Sequence, residues 1–115
     1  MRFPEGSIPA GCDGPFIHIV RVDIDPEYAD AFNRWYDEVH LPAILGCPGW
    51  LSAQRFVAIE GSPVYTAMYT IAGDWVYDTP EFHAIKGFGE FTPHVRNFTR
   101  LRLAPLPARG DSQPV

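Results

Sequence analysis

Tyr36 and His40 are the side chains whose types and spacing best suit chemistry. They stand four residues apart, so a helix places them on one face, one turn from each other. An imidazole takes up and releases protons near neutral pH, and a phenol donates a hydrogen bond to a developing oxyanion. We therefore predict that His40 and Tyr36 are catalytic, and that Asn33, on the same flank of the helix, contacts the substrate.

Helical periodicity places this pair on the shoulder of the core-facing stripe, to which Trp35 and Val39 belong. A purely structural interpretation is also open. In that alternative, His40 hydrogen-bonds the last carbonyl groups of the helix and Tyr36 only packs. The macrodipole favours the charged imidazolium at the carboxyl end of a helix.

Other polar residues depend on the fold to reach a shared cavity. Arg55 lies on an otherwise apolar strand face, where it either pairs with Asp37 or Glu38 or binds an anionic substrate. Tyr69 is a second candidate donor to an oxyanion. Three histidines are further candidates for substrate contact, and the sequence does not decide which of them reach the cavity: His18, His83 and His94.

Composition and charge exclude several classes of function. The 115-residue chain has a formal charge of −5 and no basic run, which argues against nucleic acid or an anionic membrane as a partner. The short cluster of Arg96, Arg100 and Arg102 is typical of a solvated strand edge. No spacing suits a metal or a phosphate-bearing cofactor, so we expect neither. No segment resembles a signal peptide or a membrane span, and the cytoplasm is the expected compartment.

The first predicted strand and helix position the catalytic pair. The strand covers 16–24, where apolar residues alternate. Asp25 suits the N-cap of the helix that follows, and Pro26 suits its first position. We expect this helix to end near Leu41, because the residue before Pro42 avoids helical backbone angles.

The remaining elements complete a known supersecondary motif. They are strands over 50–59, 64–72 and 98–103, and helical turns over 80–86 and 90–96 with Thr79 as the cap. The order β-α-β-β-α-β is that of the ferredoxin-like α+β fold, with a four-stranded antiparallel sheet and two helices on one face. We assign 16–103 to this domain, 1–15 to an extended arm and 104–115 to a flexible tail.

The second face of the predicted sheet is also apolar on several strands. An uncovered apolar face of this size needs a cover, and a second copy of the same sheet is the simplest one. We therefore predict a homodimer formed through the sheet face.

Three short motifs resemble the dimeric α/β-barrel superfamily. They are Phe32-x-x-Trp35-Tyr36-x-x-x-His40-Leu41-Pro42, Pro48-Gly49-Trp50 and Ala53-x-Arg55-Phe56. The similarity is greatest to the ethyl tert-butyl ether degradation (EthD-type) branch and its bacterial relatives, and it spans residues 16–103. The resemblance implies a homodimer with facing sheets, a cavity between sheet and helices in each protomer, and a His40 that faces this cavity.

The resemblance leaves the chemistry open, because members of the superfamily differ in function. Plant-type polyketide cyclases of the superfamily carry a catalytic histidine two residues before a Gly-Phe-Gly, where this chain has Ile85. We expect a cofactor-independent isomerase, cyclase or lyase that acts on a small cyclic or aromatic metabolite. The alternatives are a non-catalytic module that binds a hydrophobic small molecule, and a haem-binding protein of the superfamily.

Overall fold

Four strands form one sheet in the computed structural model, which describes residues 14–85 and 87–107. The strands are β1 (Phe16–Ile24), β2 (Trp50–Val57), β3 (Tyr65–Ile71) and β4 (Val95–Leu103). Their order is β2-β3-β1-β4 and every neighbouring pair is antiparallel, which confirms the predicted ferredoxin-like α+β fold. Most of the predicted arm (1–15) and of the predicted tail (104–115) lies outside the described residues, so these boundaries remain predictions.

A single run of helical turns follows β1. It begins as a 3₁₀ turn and contains a wide π turn between two α-helical segments. In chain order the parts are the 3₁₀ turn (Pro26–Tyr28), α1 (Ala29–Trp35), the π turn (Tyr36–His40) and α2 (Leu41–Leu45). No helix among the described residues is long and apolar enough to cross a lipid bilayer.

The prediction that this helix ends near Leu41 is wrong. Leu41 keeps helical backbone angles (φ −60°, ψ −46°), and its N–H bonds the carbonyl of Tyr36, five residues earlier. Pro42 therefore lies in the first turn of α2, where a missing N–H is tolerated. The helix continues to Leu45 and closes at Gly46.

The prediction that Val39 belongs to the core stripe is also wrong, since this side chain is 54% exposed. Bonds that reach five residues back make each turn wider than an α turn, so every residue advances by a smaller angle. The periodicity that placed Val39 inward assumed α geometry throughout. Trp35, which precedes the π turn, packs against the core as predicted.

The second helical region has a shorter α-helix than predicted and begins with a 3₁₀ turn that was not predicted. It consists of a 3₁₀ turn (Asp74–Asp78), α3 (Pro80–His83) and a second 3₁₀ turn (Gly89–His94). Thr79 caps α3 as predicted, because its Oγ1 accepts the N–H of Phe82 at 3.2 Å. Gly87 and Gly89 both have positive φ, a conformation that ends helices and that glycine adopts without strain.

Strand β4 begins three residues before its predicted start at Phe98. A bulge opposite Val22 interrupts the pairing of β1 with β4, and Asn97 in this bulge has a φ of 55°. The Asn97 amide donates to the Asp23 carboxylate at 2.8 Å. The extra residue breaks the alternation of side chains, which hid the first part of the strand.

The two faces of the sheet differ in what covers them. The face toward the helices is buried and includes Val22, Ala67, Tyr69 and Ile71, which pack with Phe32 of α1. We call the opposite side the open face. It carries six apolar side chains from all four strands: Ile17, Ile19, Phe56, Met68, Leu101 and Leu103.

Candidate functional site

A cavity of about 210 Å³ lies between the helix-facing side of the sheet and the helices. Aromatic and aliphatic side chains form most of its wall, as is typical of pockets for small molecules. Polar groups reach it from the sheet and from the π turn. They belong to His18, Tyr36, His40, Tyr69, Trp50 and Arg100.

The π turn brings His40 into this cavity. The His40 ring stacks on Trp35, five residues earlier, with the ring centres 4.8 Å apart. It also meets the Tyr36 ring edge-on at 4.9 Å. An i-to-i+5 stack of this kind follows from the wider turn, which rotates His40 toward the core side of the helix.

His40 is neutral in this environment. Burial, with the nearby Arg55 guanidinium as a smaller cause, lowers the pKa of its imidazole from 6.5 to about 4. The expectation that the helix macrodipole favours a charged His40 is therefore wrong. The helix does not end at His40, and burial outweighs any stabilisation of the charged form by the macrodipole.

The His40 ring makes no hydrogen bond to any group within residues 14–85 and 87–107. The structural alternative required His40 to bond the last carbonyl groups of the helix, and the structure shows no such bond among these residues. His40 lines the cavity, and its ring nitrogens have no protein partner among these residues. A bound molecule can therefore hydrogen-bond this imidazole directly.

Tyr36 and Tyr69 form a buried pair of phenols. Their hydroxyl oxygens are 3.4 Å apart, and one hydroxyl donates to the other. Burial raises the pKa of both phenols, so both are protonated at neutral pH. Because only one hydrogen is used within the pair, the other remains available to an acceptor in the cavity.

Arg55 and Asn33 support Tyr36 from outside the cavity. The Arg55 guanidinium donates to Asp37 at 3.1 Å and to Asn33 at 2.6 Å. Its Cζ lies 4.4 Å from the centre of the Tyr36 ring, a cation–π contact. The structure does not place Arg55 or Asn33 in the cavity wall. Of the two carboxylates considered as partners, Asp37 pairs with Arg55.

His18 is the second imidazole of the cavity. Its Nδ1 lies 2.8 Å from the hydroxyl of Tyr77, and its ring meets Trp50 edge-on at 5.2 Å. Burial, with smaller contributions from Arg100 and Arg102, lowers the pKa of His18 from 6.5 to about 4. His18 is therefore held in place, whereas His40 is free to bond a ligand.

The structure does not bring His83 or His94 to the cavity. His83 is exposed at the end of α3. The His94 ring stacks on Tyr28 at 3.7 Å, and its Nδ1 lies 3.4 Å from the Asp25 carboxylate. Asp25 occupies the predicted N-cap position, with Pro26 after it, but its carboxylate accepts a hydrogen bond from Arg96 at 2.6 Å and bonds no N–H of the first turn.

Sequence reasoning missed four residues of the site. Trp50, Phe82 and Arg100 line the cavity, and Tyr77 bonds His18. Arg100 belongs to the arginine cluster that was interpreted as a strand edge. The sequence did contain a signal for Arg100. It lies two residues from Phe98 on the same strand, so both side chains are on the face of the sheet toward the helices.

Within the described part of the chain, no group of three or more His, Cys, Asp and Glu side chains could hold a metal ion. Taken together, these residues form a small, largely apolar cavity that contains a neutral imidazole with no hydrogen-bond partner among the described residues and a pair of neutral phenols.

Comparisons with known proteins fit this architecture. No protein-family model and no curated protein matches the sequence. Among solved structures, a DABB family protein with a ferredoxin-like fold from Mesorhizobium loti superposes with a TM-score of 0.63 at 13% identity, covering 79% of this chain and 96% of that one. An EthD family protein from Bacillus halodurans gives a TM-score of 0.57 at 16% identity, covering 79% and 99%.

This chain has the fold of the dimeric α/β-barrel proteins. The fold that the sequence resemblance implied is thus confirmed. Another protein with this fold is the haem-degrader MhuD of Mycobacterium tuberculosis, solved with two haems in its active site. It superposes with a TM-score of 0.59 at 18% identity and covers 84% of this chain and 100% of its own length. Identities this low carry no information on activity.

Proposed function

We propose that this chain is a cofactor-independent enzyme that moves a proton on a small cyclic or aromatic metabolite. The observation that carries the proposal is the juxtaposition of His40, neutral and unbonded within the described residues, with the Tyr36–Tyr69 phenol pair in one cavity. A base and hydrogen-bond donors aimed at the same small space are what isomerase and cyclase chemistry requires.

In the proposed reaction, His40 removes a proton from a carbon next to a carbonyl group of the substrate. The electron pair of the C–H bond forms a carbon–carbon double bond, and negative charge collects on the carbonyl oxygen. The free hydroxyl hydrogen of the Tyr36–Tyr69 pair bonds this oxyanion. The protonated His40 then returns the proton to the same carbon, which reverses the step. Where a carbon–carbon double bond is conjugated with the enolate, the proton goes instead to the far carbon of that bond, which completes an isomerisation.

The low pKa of His40 makes it a weak base, and the phenol pair compensates for this weakness. Ketosteroid isomerase illustrates the principle, since its base has a similarly low pKa and works beside neutral donors that stabilise the enolate. The Arg55 guanidinium packs on the Tyr36 ring from outside the cavity and holds this phenol in place. His40 stays unprotonated throughout the physiological pH range and is always ready to accept a proton.

The cavity volume separates the alternatives. A cavity of about 150 Å³ holds one benzene molecule, so about 210 Å³ holds a single ring with a few substituents. A tetrapyrrole is larger than this volume, which favours a single-ring ligand over haem. A Soret band after haemin titration would contradict this preference. The non-catalytic binding module fits the same volume and differs from an enzyme only by the absence of turnover.

The test measures proton transfer without knowing the complete reaction. The protein is incubated in D₂O with a panel of monocyclic ketones, each with and without a ring carboxylate, and deuterium next to the carbonyl is followed by NMR. We expect wild type to exchange at least one compound above the buffer rate, and His40→Gln to lower that rate about 100-fold. The control is His83→Gln, which changes an exposed histidine outside the cavity.

Two results of this experiment would count against the proposal. Exchange by His40→Gln at the wild-type rate would remove His40 from the mechanism. Saturable binding of these compounds by wild type, with no exchange above buffer, would favour the binding module.

We also propose that the protein forms a homodimer through the open face. Ile17 pairs with Leu103 across two neighbouring strands, and Ile19 pairs with both Leu101 and Met68. Residues paired in this way lie on one side of the sheet, so these contacts make a continuous apolar surface. A second copy of the same sheet matches that surface in shape and hydrophobicity.

A further inference from the structure

Two arginines of β4 lie beside the cavity and have no acidic partner among the described residues. Arg100 pairs with Val20 of β1, and Arg102 pairs with His18. Both β1 residues line the cavity, as does Arg100 itself. The two guanidinium groups therefore lie on the cavity side of the sheet, two residues apart on one strand, and we call them the arginine rim.

Arg102 of the arginine rim packs on an aromatic side chain rather than pairing with a carboxylate. The Cζ of Arg102 lies 5.2 Å from the centre of the Tyr77 ring, whose hydroxyl bonds His18. No Asp or Glu within residues 14–85 and 87–107 forms an ion pair with Arg100 or Arg102, although Asp74 is near enough to Tyr77 to affect the pKa of that phenol.

The other arginine near the site differs from the rim in this respect. Arg55 is paired with Asp37 and bonded to Asn33, so its charge is largely matched within the protein. The rim adds two unmatched positive charges next to the cavity of a chain whose formal charge is −5. The same positive charges contribute to the low pKa of His18, which shows that they act on the cavity interior.

We propose that the arginine rim binds the carboxylate of a small ring compound, with the ring inside the cavity and the carboxylate at Arg100. A guanidinium matches a carboxylate in geometry and binds it through two parallel hydrogen bonds. The aromatic wall accepts the ring, and the rim fixes its orientation toward His40 and the phenol pair. This inference rests on the proposed function and names its substrate class, a ring carboxylic acid.

The test uses benzoate and benzamide as probes, because they share a ring and a size and differ in charge. Their binding to wild type, Arg100→Gln and Arg34→Gln is measured by NMR titration. Arg34→Gln is the matched control, since it removes the same charge from an exposed position on α1. An Arg100→Lys variant keeps the positive charge and separates its effect from that of the guanidinium geometry.

We expect wild type to prefer benzoate over benzamide by about fivefold, in line with an ion pair that is partly open to solvent. Arg100→Gln should weaken benzoate about threefold to fivefold and leave benzamide unchanged. Arg34→Gln should change neither affinity, and Arg100→Lys should keep most of the preference. Raising the salt concentration should weaken benzoate alone.

Equal affinities of wild type for benzoate and benzamide would contradict the proposal that the arginine rim binds a carboxylate. Equal effects of Arg100→Gln on both affinities would contradict it too. These measurements need no turnover, so they separate the two proposals. A protein that prefers benzoate but exchanges no deuterium would keep the rim and lose the proposed function. A protein that exchanges deuterium into neutral ketones but binds benzoate no better than benzamide would keep the proposed function and lose the carboxylate site.

Discussion

At the scale of single residues, the neutrality of the two cavity histidines has consequences for stability. The pKa of both His18 and His40 is lowered from 6.5 to about 4, mainly by burial. Between these values the unfolded chain binds more protons than the folded protein, so stability is complete above pH 6.5 and falls as the pH decreases toward 4.

We expect the free energy of unfolding to decrease by about 2 kcal/mol for each of these histidines between pH 7.5 and pH 5. Urea denaturation at the two pH values measures the loss. His40→Gln should remove about half of it, whereas His83→Gln should leave it unchanged because His83 is exposed. An acid loss that is the same in wild type and His40→Gln would show that His40 titrates normally.

The same pKa predicts the pH dependence of proton transfer. Because His40 is already unprotonated, the deuterium exchange rate should be constant between pH 6 and pH 8. An ordinary exposed histidine acting as the base would instead make the rate rise through pH 6.5. A rise of that kind, measured on folded protein, would contradict the burial of a neutral base.

Tyr69→Phe tests the phenol pair. The change removes one hydroxyl from a buried 3.4 Å contact and leaves the ring in place. We expect it to lower the exchange rate about 100-fold, as the loss of an oxyanion donor does, and to lower stability by about 1 kcal/mol. Tyr28→Phe is a control on a tyrosine that stacks on His94 outside the cavity. An unchanged rate in Tyr69→Phe would exclude the Tyr69 hydroxyl from oxyanion binding.

At this scale the sequence pointed to part of the site. The spacing of Tyr36 and His40 predicted that these two side chains lie near each other, and both line the cavity. Arg100 and Tyr77 could not be found in the same way, because their positions depend on pairing between distant strands. The low pKa of His40 also could not be anticipated, since it follows from burial by residues far away in the chain.

At the scale of elements, the π turn of residues 36–40 is the feature that departs most from expectation. Periodicity analysis assumes one angle per residue along a helix, and a π turn changes that angle without a clear sequence signal. Val39 was therefore assigned to the core and is exposed, while His40 was assigned to a shoulder and is buried. The Thr79 cap acts locally, within one turn, and it was predicted correctly.

The cap at Thr79 controls the element that covers the cavity. Its Oγ1 accepts the N–H of Phe82, and the Phe82 ring stacks on Trp50 at 5.1 Å in the cavity wall. We expect Thr79→Ala to lower the free energy of unfolding by about 1 kcal/mol and to speed hydrogen exchange at the Phe82 amide.

Two further variants control for this effect. Thr79→Ser keeps the hydroxyl and should behave as wild type. Thr92→Ala removes an exposed bond to the Gly89 carbonyl and should change the free energy of unfolding by less than about 0.5 kcal/mol. A Thr79→Ala protein as stable as wild type, with a protected Phe82 amide, would show that the cap is not needed.

At the scale of the whole molecule, the fold was the most predictable property. The order of strands and helices, together with two apolar sheet faces, was sufficient to name the ferredoxin-like topology before any coordinates. The proposed homodimer depends on the open face, which the isolated chain leaves uncovered. Substitution of an exposed apolar residue on another surface provides the control for a substitution on the open face.

We expect wild type to sediment as a dimer and Leu101→Lys to sediment as a monomer at micromolar concentration. Leu101 is 50% exposed on the open face, and a lysine there places a charge within an apolar interface. Val39→Lys is the matched control, because Val39 is 54% exposed on the helical side. A dimer that survives Leu101→Lys, or that Val39→Lys dissociates, would assign the interface to another surface.

The account as a whole depends on His40 moving a proton inside the cavity, and chemical rescue tests this most directly. His40→Ala removes the imidazole and leaves a space that free imidazole can enter. We predict that deuterium exchange in this variant falls at least 100-fold below wild type at pH 7 and rises with added imidazole, while wild type does not respond to imidazole. Exchange by His40→Ala at the wild-type rate would contradict the account.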